Sequence, residues 1–440
     1  MYKGGNNLKT INNNYWFCDE IDKTEHMKRI SNVLDIKQYL LRLHSVLQRK
    51  DFMFKEETFR TAKIILNTLK SILNFHVSYV VGNPISITGK QDIVSTYNKI
   101  YRKGMYNKTD YEVANDLYKY GNAFEYVYLK DGIIKSKLIA NEDSYPVYDD
   151  NFNYVAFVEH WEDITTSVSN YIVYYPDHVE VYEDNQLTDQ YTNLSGLPIH
   201  YAMMDKSDYN HFGDSMLNDL IPIMNQIEGL LSKLDDAITT LSLNPLGISI
   251  GQRITDSIPK DIVGATLSLE DGGDFKYVNA TMDYSNIKLL LDSLTQQLYA
   301  VAGVPASVIG QSNIANVSEV SLKLLFSQTD NKAKQTIQVL KEGIFKRFQY
   351  INKLLKLSGK AFSEDDMDSL DIGFNVNRPV DTQSLMNELK TQYDMGAISI
   401  ESIIDLSPYS MDTPLELQRI KAEQGVETFP QGNTEETTVE

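Results

Sequence analysis

The sequence predicts an α+β chain built of several packed regions, and three observations predict it. At 440 residues it exceeds what one hydrophobic core usually holds. Its first half mixes helical spacing with short aromatic strands, whereas its second half carries long helical stripes. Hydrophobic residues at 42% and charged residues at 23% are those of an ordinary globular protein.

Residues 1–34 are polar and Asn-rich, and predict a flexible arm. Residues 35–213 form the α+β region. Helical spacing covers about 35–49 and 58–75, the second with Ile64, Ile65, Leu69, Ile72 and Leu73 on one face. His76–Val81 reads as a strand, interrupted by Asn83-Pro84 before a second run begins at Ile85. A helix around Tyr111–Tyr120 precedes the strands Phe124–Leu129, Tyr154–Val158, Tyr171–Tyr175 and His178–Tyr182. These are aromatic or β-branched and bounded by Asp, Asn, Gly or Pro.

Residues 214–242 then carry Leu217, Leu220, Met224, Ile227, Leu231, Leu234, Ile238 and Leu241 in alternating steps of three and four. That heptad seam predicts a helix packed lengthwise, with Pro222 in its first turn or at a kink. Glu228 and Asp235, one heptad apart, form an acidic line beside the seam. Asn244-Pro245 ends it, and 243–282 is a turn-rich insert with strand-like pieces. A second seam, Ile287, Leu291, Leu294, Leu298 and Val301, occupies 283–303 and is closed by Gly303 and Pro305. A polar loop, 304–317, leads into a region, 318–381, that opens with a long helix, roughly Ser318–Leu357. That helix holds eight basic residues against three acidic ones, and its middle is polar all round. Helices fill 382–424, and the acidic tail 425–440 reads as disordered.

The net charge of −19 constrains function. Proteins that grip DNA phosphates present a basic surface, so this chain either avoids nucleic acid or lets it pass without holding it. The chemistry of catalysis is missing. GNPISITGK has the wrong glycine spacing for a phosphate loop, DDMDSLDIG lacks the ligands and glycine of a calcium loop, and no histidines pair at i, i+4. Cys18 is the sole cysteine, which excludes an intrachain disulfide and multi-cysteine metal sites. No catalytic residue, metal or cofactor is expected. No apolar window is long enough for a bilayer and no signal-peptide core is present, so synthesis in the cytoplasm is expected.

Several segments, in order, resemble the portal proteins of tailed phages, in particular the group typified by siphophages of Gram-positive bacteria. They are VSYVVGNPISI, DLYKYGNAFEYVYLKDG with SYPVYDD, FGDSMLNDLIPIMNQIEGLLSKLDD, GVPASVIG…NVSEVSLK, and MGAISIESIIDLSPYSMDTPLELQRIKAE, together spanning about 35–424. The resemblance implies a portal-type subunit: wing (35–213), stem helices (214–242 and 283–303), clip (243–282), tunnel loop (304–317), long wing helix with a return strand (318–381) and helical crown (382–424). It further implies a ring, typically of twelve subunits, at one capsid vertex of the virion, assembled in the host cytoplasm, without enzymatic activity or membrane. Double-stranded DNA would pass through it during packaging and ejection. Its other partners would be terminase, major capsid and scaffolding proteins, and a head-completion or adaptor protein. Gln311, Ser312, Asn313 and Asn316 would approach DNA from the tunnel loop. Glu228 and Asp235 would line the channel, and Lys323, Lys332 and Lys334 would supply basic contacts. A related reading is another oligomeric capsid or tail connector without a direct DNA translocation role.

Overall fold

The computed structural model describes residues 15–54, 57–206, 211–239, 246–251, 271–278, 284–305, 319–378, 382–407 and 413–424. It falls into two compact units, one of 1–313 with 325–377, the other of 314–324 with 378–440.

The larger unit opens with α1 (Trp16–Ile21) and α2 (Thr24–Leu40). The flexible arm predicted for 1–34 therefore gives way to helix by Trp16. Phe17 is fully buried among Tyr145, Val158, Tyr171 and Tyr182, so one aromatic side chain anchors a polar segment. A hairpin of β1 (Phe52–Phe54) and β2 (Glu57–Phe59) follows. Residues 61–67 then have no regular secondary structure, where helix was predicted.

Helix α3 (Thr68–Val81) runs through His76–Val81, a stretch whose β-branched composition had read as a strand. Position outweighs composition here: Leu69, Ile72, Leu73, His76, Val77 and Val80 continue one three–four spacing and are all buried. Strand β3 (Ser86–Thr88), α4 (Gln91–Gly104) and α5 (Tyr106–Tyr120) come next.

Two antiparallel sheets follow. One has the order β11-β4-β5, from β4 (Asn122–Lys130), β5 (Ile133–Ile139) and, later in the chain, the strand Ile199–Ala202. The other is a meander of β6 (Ser144–Tyr148), β7 (Tyr154–Glu162), β8 (Ser169–Tyr174), β9 (His178–Glu183) and β10 (Gln186–Thr192), which precede β11 in sequence. Phe124, Tyr126 and Ile139 of the first sheet meet Phe157, Tyr174 and Val179 of the second in a shared cluster. The opposite face of the first sheet packs on helices, and that is the main core.

The heptad seams are α6 (Met216–Ala237) and α7 (Tyr284–Ala302), which pack on each other. Pro222 is accommodated within α6. Strands β12 (Leu246–Ile250) and β13 (Asp274–Val278) pair in the segment between them. The single long helix predicted from about Ser318 is two helices, α8 (Glu319–Leu325) and α9 (Ser327–Leu357), with Phe326 at the break. Phe326 is buried and stacks on Tyr79, at 5.9 Å between ring centroids. Helix α10 (Glu364–Asp368), opened by a Ser363–Asp366 capping box, and β14 (Asp371–Gly373), paired with β3, complete this unit. The smaller unit holds nearly all of α8, together with α11 (Thr382–Asp394), α12 (Ile400–Leu406) and α13 (Thr413–Gln424), with α12 in contact with both α11 and α13.

Candidate helix pair and loop anchor

On α6, Glu228, Ser232 and Asp236 are spaced four residues apart and share one face. Each accepts from a backbone amide of the extended segment 62–66. Leu66 N donates to Glu228 Oε1 at 2.8 Å, Ile64 N to Ser232 Oγ at 3.0 Å, and Ala62 N to Asp236 Oδ1 at 2.7 Å. The match is geometric. Four helical residues rise about 6 Å, and two extended residues advance about 6.6 Å, so every second amide of the strap meets the next helical turn. Arg49 locks the far end, donating to Ala62 O at 2.6 Å and Asp236 Oδ2 at 2.5 Å. His44 Nδ1 lies 2.8 Å from both Glu228 oxygens, and the Tyr39 ring stacks on His44 at 3.9 Å.

This corrects the acidic line expected of α6. Glu228 is fully buried, and its carboxylate is engaged within its own chain, so it does not stand on the surface of the chain. Isolated, a buried carboxylate would be prohibitively costly; bonded to Leu66 and His44 it is not. Asp235, on the adjoining face, is exposed. The seam itself is divided. Leu217, Leu220, Met224 and Ile227 are buried, Leu231 and Leu234 half-buried, and Ile238 exposed.

The C-terminus of α7 is held from two sides. Gly303, in the left-handed region at φ 70°, closes the helix. Its amide donates to Ala300 O at 3.2 Å and that of Val304 donates to Tyr299 O at 3.1 Å, the paired bonds of a Schellman cap. The next three carbonyls, which the cap leaves free, are each taken by a side chain. Lys332 Nζ donates to Val301 O at 2.7 Å, His76 Nε2 to Ala302 O at 2.8 Å, and Thr329 Oγ1 to Gly303 O at 2.6 Å. Helix ends leave such carbonyls unpaired, and a cation there also meets the negative end of the dipole. Burial pushes the His76 pKa down to about 4, against the Ala302 carbonyl that favours its charge, so the ring is a neutral donor near pH 7.

Helix α9, which carries Thr329 and Lys332, is fixed by Arg347. This side chain is fully buried. Its Nε and Nη2 donate to Glu125 at 2.7 and 2.8 Å, and its Nη1 donates to Asp110 Oδ1 at 2.5 Å and Tyr101 Oη at 3.0 Å. Tyr201 Oη donates to Glu125 at 2.6 Å. Burial opposes the charge on Arg347, but Asp110 and Glu125 outweigh it and raise its pKa further. One face of α9 is thus core along most of its length, and Thr329 and Ala333 are buried in the stretch that had read as polar all round.

Of the other residues singled out in the sequence, Lys323 lies exposed on α8 and Lys334 exposed on α9. Lys332 is half-buried and spent on the α7 carbonyl. Gln311, Ser312, Asn313 and Asn316 lie outside the described residues. Among the described residues, no three His, Cys, Asp or Glu side chains are placed to hold a metal ion. No helix among them is long and apolar enough to cross a membrane.

The order of these parts agrees with a family defined across nearly the whole chain: the phage portal proteins of the SPP1 Gp6-like kind match residues 19–428. The chain belongs to that family. Among solved structures, the neck of an empty gene transfer agent particle computed with C6 symmetry matches at TM-score 0.50 and 10% identity. That match covers 80% of this chain and 90% of the other. The neck of a native particle computed with C12 symmetry gives TM-score 0.46 at 10% identity, over 79% and 88% of the two chains. The virion of a native particle gives 0.47 at 10% identity, over 79% and 94%. At such identity the first of these speaks for the fold alone. No curated protein matches the chain significantly.

Sequence reasoning located the two seams, Gly303 and the helix after the loop in this portal-family chain. It missed the strap, the grip of α3 and α9 on the end of α7, and the Arg347 cluster. Their partners are separated by 168, 226 and 222 residues, respectively, for Ile64–Ser232, His76–Ala302 and Glu125–Arg347. No local spacing reports such pairs.

Proposed function

We propose that this chain is a portal subunit that assembles head to tail into a closed ring, typically of twelve copies, at one vertex of a phage capsid. The observation that carries this reading is the family match over residues 19–428. In this reading α6 and α7 are the stem, β12 and β13 belong to the clip, and the segment after Gly303 is the tunnel loop. Double-stranded DNA passes through the centre during packaging and ejection. Terminase docks first, head-completion or adaptor proteins later, and scaffolding and major capsid proteins surround the ring.

The anchor then has a mechanical role. A loop that meets moving DNA must be tethered to something that does not yield. The grip of His76, Thr329 and Lys332 on the last carbonyls of α7 supplies such a tether at the loop's entry. Gln311, Ser312, Asn313 and Asn316, polar and uncharged, suit weak, sequence-independent contact with the DNA backbone. Asp235 remains a candidate for the channel surface, where repeated negative charge would keep DNA from sticking. Lys323 and Lys334 remain candidates for basic contacts, whereas Lys332 acts as the tether.

Electron microscopy of the purified full-length protein tests the reading. The expected result is a ring with a central channel wide enough for duplex DNA, about 20 Å or more given the groove dimensions of the duplex. A protein that stays monomeric at high concentration in several buffers sinks it. Asp235→Lys is expected to impair packaging in a reconstituted system while rings still form.

A further inference from the structure

Charge is unevenly divided within the larger unit. From Leu138 to Asp205 the chain has 13 Asp or Glu residues and no Lys or Arg, and this stretch contains the whole β6–β10 meander. At one end of the meander the acids stand together. Antiparallel strands turn back at alternate ends, so the β7–β8 and β9–β10 turns are neighbours. Asp184 N donates to Ser169 O at 2.9 Å, and Ser169 N donates to Asp184 Oδ1 at 3.0 Å. Glu162, Asp163, Glu183 and Asp184 are all exposed there, and none has an ion-pair partner among the described residues. The β7–β8 turn also carries Ile164, which is 99% exposed. Asp163 Oδ1 accepts from Thr165 N at 2.7 Å and Thr166 N at 3.1 Å, and Ser167 N donates to Asp163 O at 2.7 Å. The isoleucine is therefore displayed on a turn that is already fixed.

The opposite sign collects at the end of α4. Lys99 lies three and four residues before Arg102 and Lys103, so the three are neighbours on the helix. All three are exposed, and none has an ion-pair partner among the described residues. This helix end lies against β5, where a Cβ at Gly104 would meet Ile134 O at 2.7 Å. Ile134 pairs with Leu129, and the next residues on the two strands are Lys135 and Lys130. These lysines also lack an ion-pair partner among the described residues, and Asp131 in the turn offsets one of them. Amid these charges Leu129 is 40% exposed and Met105, at the α4–α5 junction, 66%. Met105 has φ 58°, a left-handed conformation unfavourable to any residue with a β-carbon. An apolar side chain held in solvent at a strained position points to a task beyond the fold.

We propose that the acidic end of the meander of one copy, Ile164 foremost, docks on the basic patch about Met105 and Leu129 of the next copy. The contact repeats around the closed ring proposed above and rests on that reading. A head-to-tail contact needs two different surfaces that fit each other. These two are opposite in charge, each holds exposed apolar side chains, and neither is neutralised by ion pairs among the described residues. Copies at −19 apiece repel, so a ring requires local attraction where they touch. Nucleic acid is the other polyanion a basic patch could meet, but phosphates gain nothing from Met105 and Leu129.

Two charge-reversed variants of the full-length protein test the contact: Glu162→Lys with Glu183→Lys at the meander end, and Lys99→Glu with Lys103→Glu on the patch. All four side chains are exposed, so both variants are expected to keep the circular dichroism and melting temperature of the unaltered chain. By mass photometry over a range of concentrations, each alone is expected to need about tenfold more protein to form rings, because like charges then face each other. The first does so although it brings the chain nearer neutrality, which would favour assembly if net repulsion alone governed it. Mixed one to one, the two are expected to assemble to within about threefold of the unaltered protein. In the mixture each lysine-bearing end meets a glutamate-bearing patch, and each unaltered end an unaltered patch. Ile164→Ala is expected to need about fivefold more protein, with its melting temperature unchanged. Rings that form as readily in either reversed variant as in the unaltered chain overturn the contact, and so does a mixture that stays dissociated. Loss of duplex-DNA binding in the Lys99 and Lys103 variant, by fluorescence anisotropy, with assembly intact, overturns it in favour of nucleic acid. If the unaltered protein forms no ring, the ring reading itself has failed and the contact falls with it.

Discussion

His76 shows how one residue couples burial to a mechanical task. Its ring donates from Nε2 to Ala302 and is otherwise enclosed, with Nδ1 unpaired. Burial lowers its pKa from 6.5 to about 4. Between those values the unfolded chain binds more protons than the folded one, so stability rises with pH across that window. The neutral ring's contribution is complete above pH 6.5 and is lost as pH falls toward 4, on the order of 3 kcal/mol in total. His200, half-buried and with its pKa also held well below 6.5 by burial, acts in the same direction. His76→Gln keeps an N–H donor but cannot take up a proton. The expected outcome is a smaller loss of stability between pH 7 and pH 4.5 than in the unaltered chain, measured by denaturant unfolding at fixed subunit concentration. An identical pH slope in the two proteins would remove His76 from the account. The residue scale is also where the sequence says least. Glu228 sits beside the seam and reads as surface charge, because nothing near it announces His44 or the Leu66 amide. Arg347 is counted with seven lysines as a basic helix, yet it is the one basic side chain of α9 that is fully buried.

At the scale of elements, periodicity was legible wherever a single helix face meets the core. The spacings of α6 and α7 located both helices, and Gly303 marked the end of α7 as a left-handed cap requires. Composition misled at His76–Val81, where valines suggested a strand within a continuing helical stripe, and at 61–67, where apolar residues at helical spacing belong to an extended strap. The strap is decided by acceptors on another element, and a tertiary partner overrides local propensity. Helix α9 against β11 gives a sharp test of such packing. A Cβ added at Gly343 would lie 1.9 Å from Tyr201 Cε1. Tyr201 is only 1% exposed, and its hydroxyl is tied to Glu125 and Arg347, so it has little room to give way. Gly343→Ala is therefore expected to destabilise the protein by about 2 kcal/mol or more, despite alanine's better helix propensity. A melting temperature equal to or above that of the unaltered protein would show that α9 and β11 part more easily than their contacts suggest.

At the scale of the whole molecule, the proposed ring raises the question of which surface another copy would cover. Within one chain, α7 leaves Leu289 68% and Leu290 50% exposed, although the same helix buries Leu298 and Ala302. Exposed leucines on successive positions are unremarkable singly, but here they lie on one of the two heptad helices, whose first residue, Tyr284, is exposed as well. A closed ring built from one repeated contact needs two different faces that fit each other, and an apolar helix face is suited to be one of them. Charge complicates the test, since each copy carries −19 and neighbours repel. Two double variants separate the effects: Leu289→Glu with Leu290→Glu, which adds to the repulsion, and Leu289→Lys with Leu290→Lys, which reduces it. Neither position is buried in the protomer, so both variants are expected to fold, with circular dichroism and melting temperature close to those of the unaltered chain. Both are expected to lose rings in favour of single subunits by mass photometry, because charge of either sign is costly at the centre of an interface. If the lysine variant assembles as well as the unaltered protein and only the glutamate variant fails, net repulsion governs assembly and the apolar face does not. If both assemble, the ring closes through another surface altogether.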